Sequence, residues 1–361
     1  MSGHKPDVFF LKYYKDFIKF RSDGSKMTAY VLRLILEPLK RCVMNKDMIK
    51  KRFEENLRLL DESYVVVANY HVGISGEKTI LKDLQQYRCR FCGKQKTKAD
   101  FKKVAHVLSR CIGNNTLFSE FECDECNEKV FSPLESNFSE YMKLYHTFAR
   151  IRGYKGVPSY KPNCRENTRV DYKDEKIHIK SYENESPIVN VDEEAKTVRV
   201  HGRRSYVPVL VYKALVKMAL SVLPEKEMAN MQATLAWLQG QPLRNDFYVK
   251  YKMYGGYNRF DDVTMVVCKR KEDCTKNIPA YIFELAYGYF TFSSFIPFCE
   301  LDKDLMGKKV ELIPIVCPFD AEVRPVQEEW LNLSSEEKVS NEEISLSLSF
   351  DDIQRMNDGG E

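Results

Sequence analysis

The stretch CRFCGKQKTKADFKKVAHVLSRCIGNNTLFSEFECDECN, residues 89–127, decides how this chain is read. It opens with one C-x-x-C pair, Cys89 and Cys92, and closes on a second, Cys123 and Cys126. Two cysteines separated by two residues form a knuckle whose thiolates converge on one tetrahedral metal. Two knuckles complete a four-sulfur shell. Such a shell suits a structural Zn2+ and closes the ion to substrate. Its work is then to tie together the ends of the segment between the pairs, and that segment encloses His106.

Basic residues crowd the same stretch. From Arg88 to Arg110, eight Lys and Arg stand against a single acid, Asp100. Lys102, Lys103 and Arg110 are candidate phosphate contacts, the alternative being a solvated, lysine-rich face. The formal net charge of +4 conceals an asymmetry, since residues 328–361 hold ten acids and two bases and leave about +12 for the rest. If that acidic tail screens the basic face, its deletion should tighten nucleic-acid binding at low salt. The seven cysteines outside the knuckles have no framework spacing, which points to a reducing compartment. No signal-peptide pattern is visible, and Lys213 and Lys217 interrupt the most apolar run, YVPVLVYKALVKMALSVLP. The expectation is a cytoplasmic protein with no membrane partner.

The length predicts about two domains, and the patterning predicts an α+β chain. Residues 1–85 read as a mainly helical N-terminal region. TAYVLRLILEPLKRCV (28–43) and KDMIKKRFEENLRLLDES (46–63) both carry apolar residues at helical spacing, and SYVVVANYHVG reads as a strand. In the metal segment, 86–150, FKKVAHVLS reads as a strand and GNN as a turn. A helix follows the second knuckle and starts near Pro133. Residues 151–185 are polar with Gly and Pro, a linker or arm. Residues 186–327 form an α+β accessory domain, with a hairpin in SPIVNVDEEAKTVRVHG and a helix in VLVYKALVKMALSVL. Its strands are VTMVVCKRK, AYIFELAYGYFTFSSFIPF and KKVELIPIVCPF. The acidic tail, 328–361, is expected to be weakly ordered, with SLSLSF at most an edge strand. The aromatic residues of YKMYGGYNRF and AYGYFTFSSF read as sheet core, with base stacking as the alternative. Cys111 reads as a small packing residue rather than a ligand.

CRFC, VAH, GNN and CDECN, followed by KVF and PLE, resemble the zinc-containing branch of the HNH endonuclease family over roughly residues 86–150. The resemblance implies a ββα-metal unit, braced by a separate zinc and carrying a catalytic histidine at a strand end. It makes His106 the general base of phosphodiester hydrolysis, a role that a neutral imidazole can fill. It makes Asn127 the ligand of a divalent cation, Mg2+ or Mn2+, that neutralises the scissile phosphate. A helix cap is the plainer reading of Asn127. Asn114 or Asn115 would be the residue that braces the histidine loop. Glu135, two helical turns beyond Asn127, is either a further cation ligand or a surface carboxylate. One departure stands out: Ala105 occupies the position where many members place Asp, Glu or His.

RIRGYKGVPSYK (150–161) and the domain after it also resemble an extension of some bacterial HNH proteins, several of them associated with anti-phage defence. The reading that follows is a metal-dependent endonuclease acting on nucleic acid, DNA rather than RNA. Its selectivity would come from homodimerisation or from a regulatory partner. The rival from another class is a non-catalytic zinc-knuckle module that binds nucleic acid or a protein.

Overall fold

The computed structural model describes residues 27–34, 46–73, 75–162, 167–182, 188–256, 259–305, 310–313 and 315–357. Cys42, Cys164 and the second half of the 28–43 run lie outside them. In chain order the first strands are β1 (Met27–Leu34), β2 (Tyr64–Val72), β3 (Thr79–Leu81), β4 (Ala105–His106) and β5 (Leu117–Ser119). Next come β6 (Arg169–Lys173), β7 (Lys176–Tyr182), β8 (Val189–Asp192), β9 (Thr197–Tyr206) and β10 (Tyr248–Met253). The last are β11 (Phe260–Arg270), β12 (Tyr281–Gly288), β13 (Phe290–Phe295), β14 (Gln327–Asn332) and β15 (Val339–Asn357). The α-helices are α1 (Lys46–Ser63), α2 (Ser132–Phe148), α3 (Pro208–Val222) and α4 (Gln232–Leu238).

Two six-stranded sheets dominate, in the orders β6-β7-β1-β15-β9-β8 and β14-β10-β13-β12-β11-β2, and a small third sheet runs β3-β5-β4. Helix α2 reaches both large sheets. Tyr141 packs edge-on against Tyr206 of β9 at 4.8 Å, and Phe138 does the same against Phe292 of β13 at 5.7 Å. Helix α3 lies beside α2 and is buried on almost every side, including Val211, Leu215, Met218 and Val222. A helix apolar all round must sit inside the core, and this one does. Every residue of β12 is likewise buried, as expected of a strand covered on both faces. Tyr251, Tyr287, Phe290 and Phe292 belong to that core, so the aromatic runs build the sheet. No helix among the described residues is long and apolar enough to cross a membrane.

The helix of 46–63, the strand of 64–72, the β8–β9 and β12–β13 hairpins and α3 stand where the sequence pattern put them. Four expectations are corrected. Residues 27–34 are a strand, paired with β7 on one side and β15 on the other. Thr, Tyr and Val suit a strand as well as their spacing suits a helix, and pairing on two sides decides between the two. Residues 169–182, expected as linker, form the β6–β7 hairpin.

The described part of the acidic tail, 328–357, forms β14 through Asn332 and then β15. Strand β15 is central in its sheet, between β1 and β9, and Glu342 pairs with Arg204 of β9. It is therefore part of the framework of that sheet. The described residues of the run KKVELIPIVCPF, 310–313 and 315–319, are not in a strand, although Ile313, Ile315 and Cys317 are buried. Its two prolines, Pro314 and Pro318, remove backbone donors that a ladder needs.

Candidate active site

The two knuckles meet as expected. The Sγ atoms of Cys89, Cys92, Cys123 and Cys126 all lie within 4.8 Å of one another, and those of Cys89 and Cys126 are 3.8 Å apart. A tetrahedron of sulfurs about 2.3 Å from zinc has edges of about 3.8 Å, so the four residues fit a closed zinc site. Cys89, Cys123 and Cys126 are buried. Gly93 follows the first knuckle at φ 68°, where a side chain would be strained, and donates its N–H to the Cys89 carbonyl at 2.8 Å.

Arg90, inside that knuckle, is the anchor to the rest of the fold. Its guanidinium stacks on Phe121 at 3.6 Å and pairs with Asp83. It also donates to the carbonyls of Leu220, Ser221 and Leu223 at 3.1, 3.3 and 2.9 Å. Those are end-of-helix carbonyls of α3, which lack intrahelical partners and attract a cation.

His106 ends β4, and its ring packs against Phe118 of β5 at 4.7 Å. The strand is shorter than expected because the Lys102 and Lys103 N–H groups go to the Asp124 carboxylate, at 3.2 and 2.9 Å, and not to a neighbouring strand. The loop after His106 is fastened by Asn114, which is fully buried. Its Nδ2 donates to the carbonyls of Leu108 and Leu117 at 2.7 and 2.8 Å. Its Oδ1 accepts from the N–H groups of Leu117 and Thr116 at 2.9 and 3.2 Å. Asn115 is only half-buried and reaches the Gly113 carbonyl at 3.3 Å. Of the two candidates, Asn114 makes the contacts that fasten this loop.

The electrostatics around His106 favour a neutral ring. Burial, then the charges of Arg110 and Lys217, lower its pKa from 6.5 to about 4, while the Asn114 backbone pulls weakly the other way. Its Nδ1 is buried without an aligned partner among the described residues.

Lys217 reaches in from α3. Its Nζ donates to the His106 carbonyl at 3.0 Å and stands 3.0 Å from Glu122 Oε2. Both side chains of this ion pair are buried. Burial accordingly raises the Glu122 pKa to about 7, with Lys217 opposing the rise.

On the helical side, Asn127 lies in a π-helical turn, Cys126–Phe131, that leads into α2 with Pro133 in its first turn. It is half-buried, and its N–H donates to the Cys123 carbonyl at 3.0 Å. Glu135 accepts from Ser109 Oγ at 3.0 Å and lines a small crevice together with Phe131, Leu134, Lys217 and Met218. Its carboxylate therefore holds the loop after His106.

Of the basic candidates, Lys103 pairs with Glu128, Lys102 is exposed, and Arg110 lies over the ring of Tyr154 at 3.9 Å. Cys111 is no part of the sulfur cluster; its thiol contacts Ser109 Oγ at 3.3 Å. The zinc-ready knuckles, the braced histidine loop and the helix that begins at the last cysteine fall within one short segment. Residues 89–142 match the HNH endonuclease family. No curated protein and no solved structure matches the chain.

The HNH segment also depends on residues that its motif does not mark, Arg90 and Glu122 within it and Lys217 outside it. Lys217 registered only as a charge that breaks an apolar run. Arg90 and Glu122 are spacer residues beside the cysteines. The available signal was a pair of lysines, Lys213 and Lys217, in an otherwise apolar helix, because such a charge is buried only with a partner.

Proposed function

We propose that this chain is a metal-dependent endonuclease that hydrolyses phosphodiester bonds, in DNA rather than RNA, with His106 as general base. The observation that carries the reading is the setting of His106. The ring sits at a strand end inside the HNH segment, on a loop pinned by Asn114, in a field that keeps it unprotonated. With Nδ1 buried, Nε2 is the nitrogen that takes a proton from the attacking water. The order β4, β5, helix across a zinc brace supports the ββα-metal arrangement. Arg110, whose charge is felt at His106, neutralises a phosphate oxygen beside the scissile bond. Exposed Lys102 contacts the backbone farther along.

A divalent cation, Mg2+ or Mn2+, would stabilise the charge on the leaving oxygen, with the amide oxygen of Asn127 as its protein ligand. Position 105 is a buried alanine, and among the described residues the four cysteines are the only group of three or more His, Cys, Asp or Glu donors that converge. One amide oxygen suits an ion that keeps its waters and arrives with the substrate phosphate.

The same thin donor set favours a second reading, a non-catalytic module that binds nucleic acid through the basic segment. Incubation of supercoiled plasmid with the protein in Mg2+ and in Mn2+, beside His106→Ala, separates the two. Nicking or linearisation that disappears in the variant is the expected result. Intact plasmid in both samples would leave the binding module as the better description.

A further inference from the structure

Residues 151–160 follow α2, and both ends of the segment are tied down. Ile151 is buried, and its N–H donates to the His146 carbonyl at 2.9 Å. At the far end, Thr147 Oγ1 donates to the Pro158 carbonyl at 2.9 Å, and buried Tyr160 donates its hydroxyl to the Arg203 carbonyl at 2.9 Å. Between these anchors, Gly153 and Gly156 exchange two backbone hydrogen bonds of 3.0 and 3.2 Å, closing a four-residue turn. The turn rests on the loop that follows His106. A Cβ at Gly153 would lie 3.6 Å from both the Arg110 carbonyl oxygen and the Cys111 Cα, ordinary contact distance, so the turn packs directly on that loop.

This base presents an exposed aromatic ring at a defined place. Tyr154 is 70% exposed although Arg110 lies over it at 3.9 Å. One face of the ring is thus covered by a guanidinium that also acts on His106, and the rest opens to solvent. Arg152 and Lys155 flank it, both exposed. A tyrosine held at the rim of a basic site costs little conformational entropy on binding and offers a π-face that any nucleobase fits.

We infer that the Gly153–Gly156 turn is a nucleic-acid contact beside His106, on which Tyr154 stacks an unpaired base while Arg152 and Lys155 meet the adjoining phosphates. The occupant is a single-stranded stretch, because a base paired inside a duplex keeps its faces stacked on its neighbours. The location of the contact rests on the nuclease reading of His106; its chemistry does not.

The test uses the full chain carrying His106→Ala, so that the probe stays intact. Binding of a fluorescein-labelled oligothymidine strand is followed by anisotropy at low and moderate salt, beside a duplex of the same length. Adding Tyr154→Ala should weaken single-strand binding about tenfold, the size expected of one base–aromatic stack. Tyr154→Phe should keep it, and the duplex should respond less to either change. Adding Lys155→Ala should lower the slope of log affinity against log salt by about one. A fluorescent purine analogue in the strand should be quenched by the parent and not after Tyr154→Ala. Equal binding and equal quenching with and without Tyr154 would overturn the inference, as would failure of the parent to bind the strand at low salt. Plasmid cleavage by the unmodified chain, scored separately, shows whether the nuclease reading fails on its own account.

Discussion

Lys217 Nζ donates to the carbonyl of His106 at 3.0 Å, so a residue in the middle of α3 fixes the backbone that carries the imidazole. The same ammonium group is the partner of buried Glu122. Removing one member of a buried pair leaves the other desolvated and uncompensated, which costs about 3–5 kcal/mol. Lys217→Met should therefore lower stability in urea denaturation, by up to that order at alkaline pH and by less at neutral pH, where Glu122 without Lys217 takes up a proton. Adding Glu122→Gln should return most of it, because the double variant buries no lone charge. Plasmid cleavage should stay impaired in the double variant, since the hydrogen bond to His106 is still missing. A double variant no more stable than Lys217→Met would show that packing, and not charge, accounts for the loss.

The pH dependence of cleavage follows from the field at His106. A general base works deprotonated, so activity falls as the pH drops through the pKa of the folded protein. That value is about 4, lowered from 6.5 by burial and by Arg110 and Lys217. The acid limb of kcat/KM should lie near 4, and Arg110→Gln should move it upward, toward 6.5, by removing one of the two opposing charges. The same shift links to stability. Between pH 6.5 and 4 the unfolded chain binds the proton that the folded chain refuses, so this contribution is present above 6.5 and lost as pH falls toward 4. An acid limb at 6.5, unmoved by Arg110→Gln, would mean that the ring is solvated when substrate binds.

Local spacing made the chemistry of this chain legible, and long-range pairing hid much of its fold. The knuckles, the enclosed His106 and the apolar α3 each follow from residues close together in sequence. Strand β1 did not, because TAYVLRL satisfies a helical stripe and a strand equally well, and its partners lie in β7 and β15. Strand β15 was hidden by its acids, some of which serve cross-strand pairs such as Glu342 with Arg204. Asn114 and Asn115 could not be told apart in sequence, since burial distinguishes them and burial comes from the folded loop. Glu135 has a ligand's chemistry but is occupied by Ser109, a contact set by how the loop meets α2.

The two asparagines should separate cleanly on mutation. Asn114→Ala removes four hydrogen bonds from a fully buried site and strands the main-chain groups of Leu108, Thr116 and Leu117. At about 1 kcal/mol net for each bond, the loss is on the order of 3–4 kcal/mol. Asn115→Ala gives up one long contact to Gly113 and should cost less than about 1 kcal/mol. Asn114→Ala should also abolish cleavage while zinc content, measured on the purified protein, stays at the parent level. Equal effects of the two substitutions, or loss of zinc with Asn114, would contradict its assignment as the brace of the histidine loop.

Zinc removal should loosen more than the knuckles. In isolated zinc fingers the metal contributes on the order of 10 kcal/mol to folding. Here part of the knuckle framework is already held by packing: Phe91 sits edge-on against Phe131 at 4.6 Å, and Arg90 binds the end of α3. Metal loss is therefore expected to lower the melting temperature without unfolding the chain at room temperature. The damage should follow Arg90 into the C-terminal turn of α3, so amides near Leu220 and Leu223 should lose hydrogen-exchange protection along with those of the knuckles. Cys123→Ser should reproduce the effect of a chelator, and added Zn2+ should reverse only the latter. Fast exchange confined to the knuckles, with α3 still protected, would show that Arg90 does not transmit the state of the metal site.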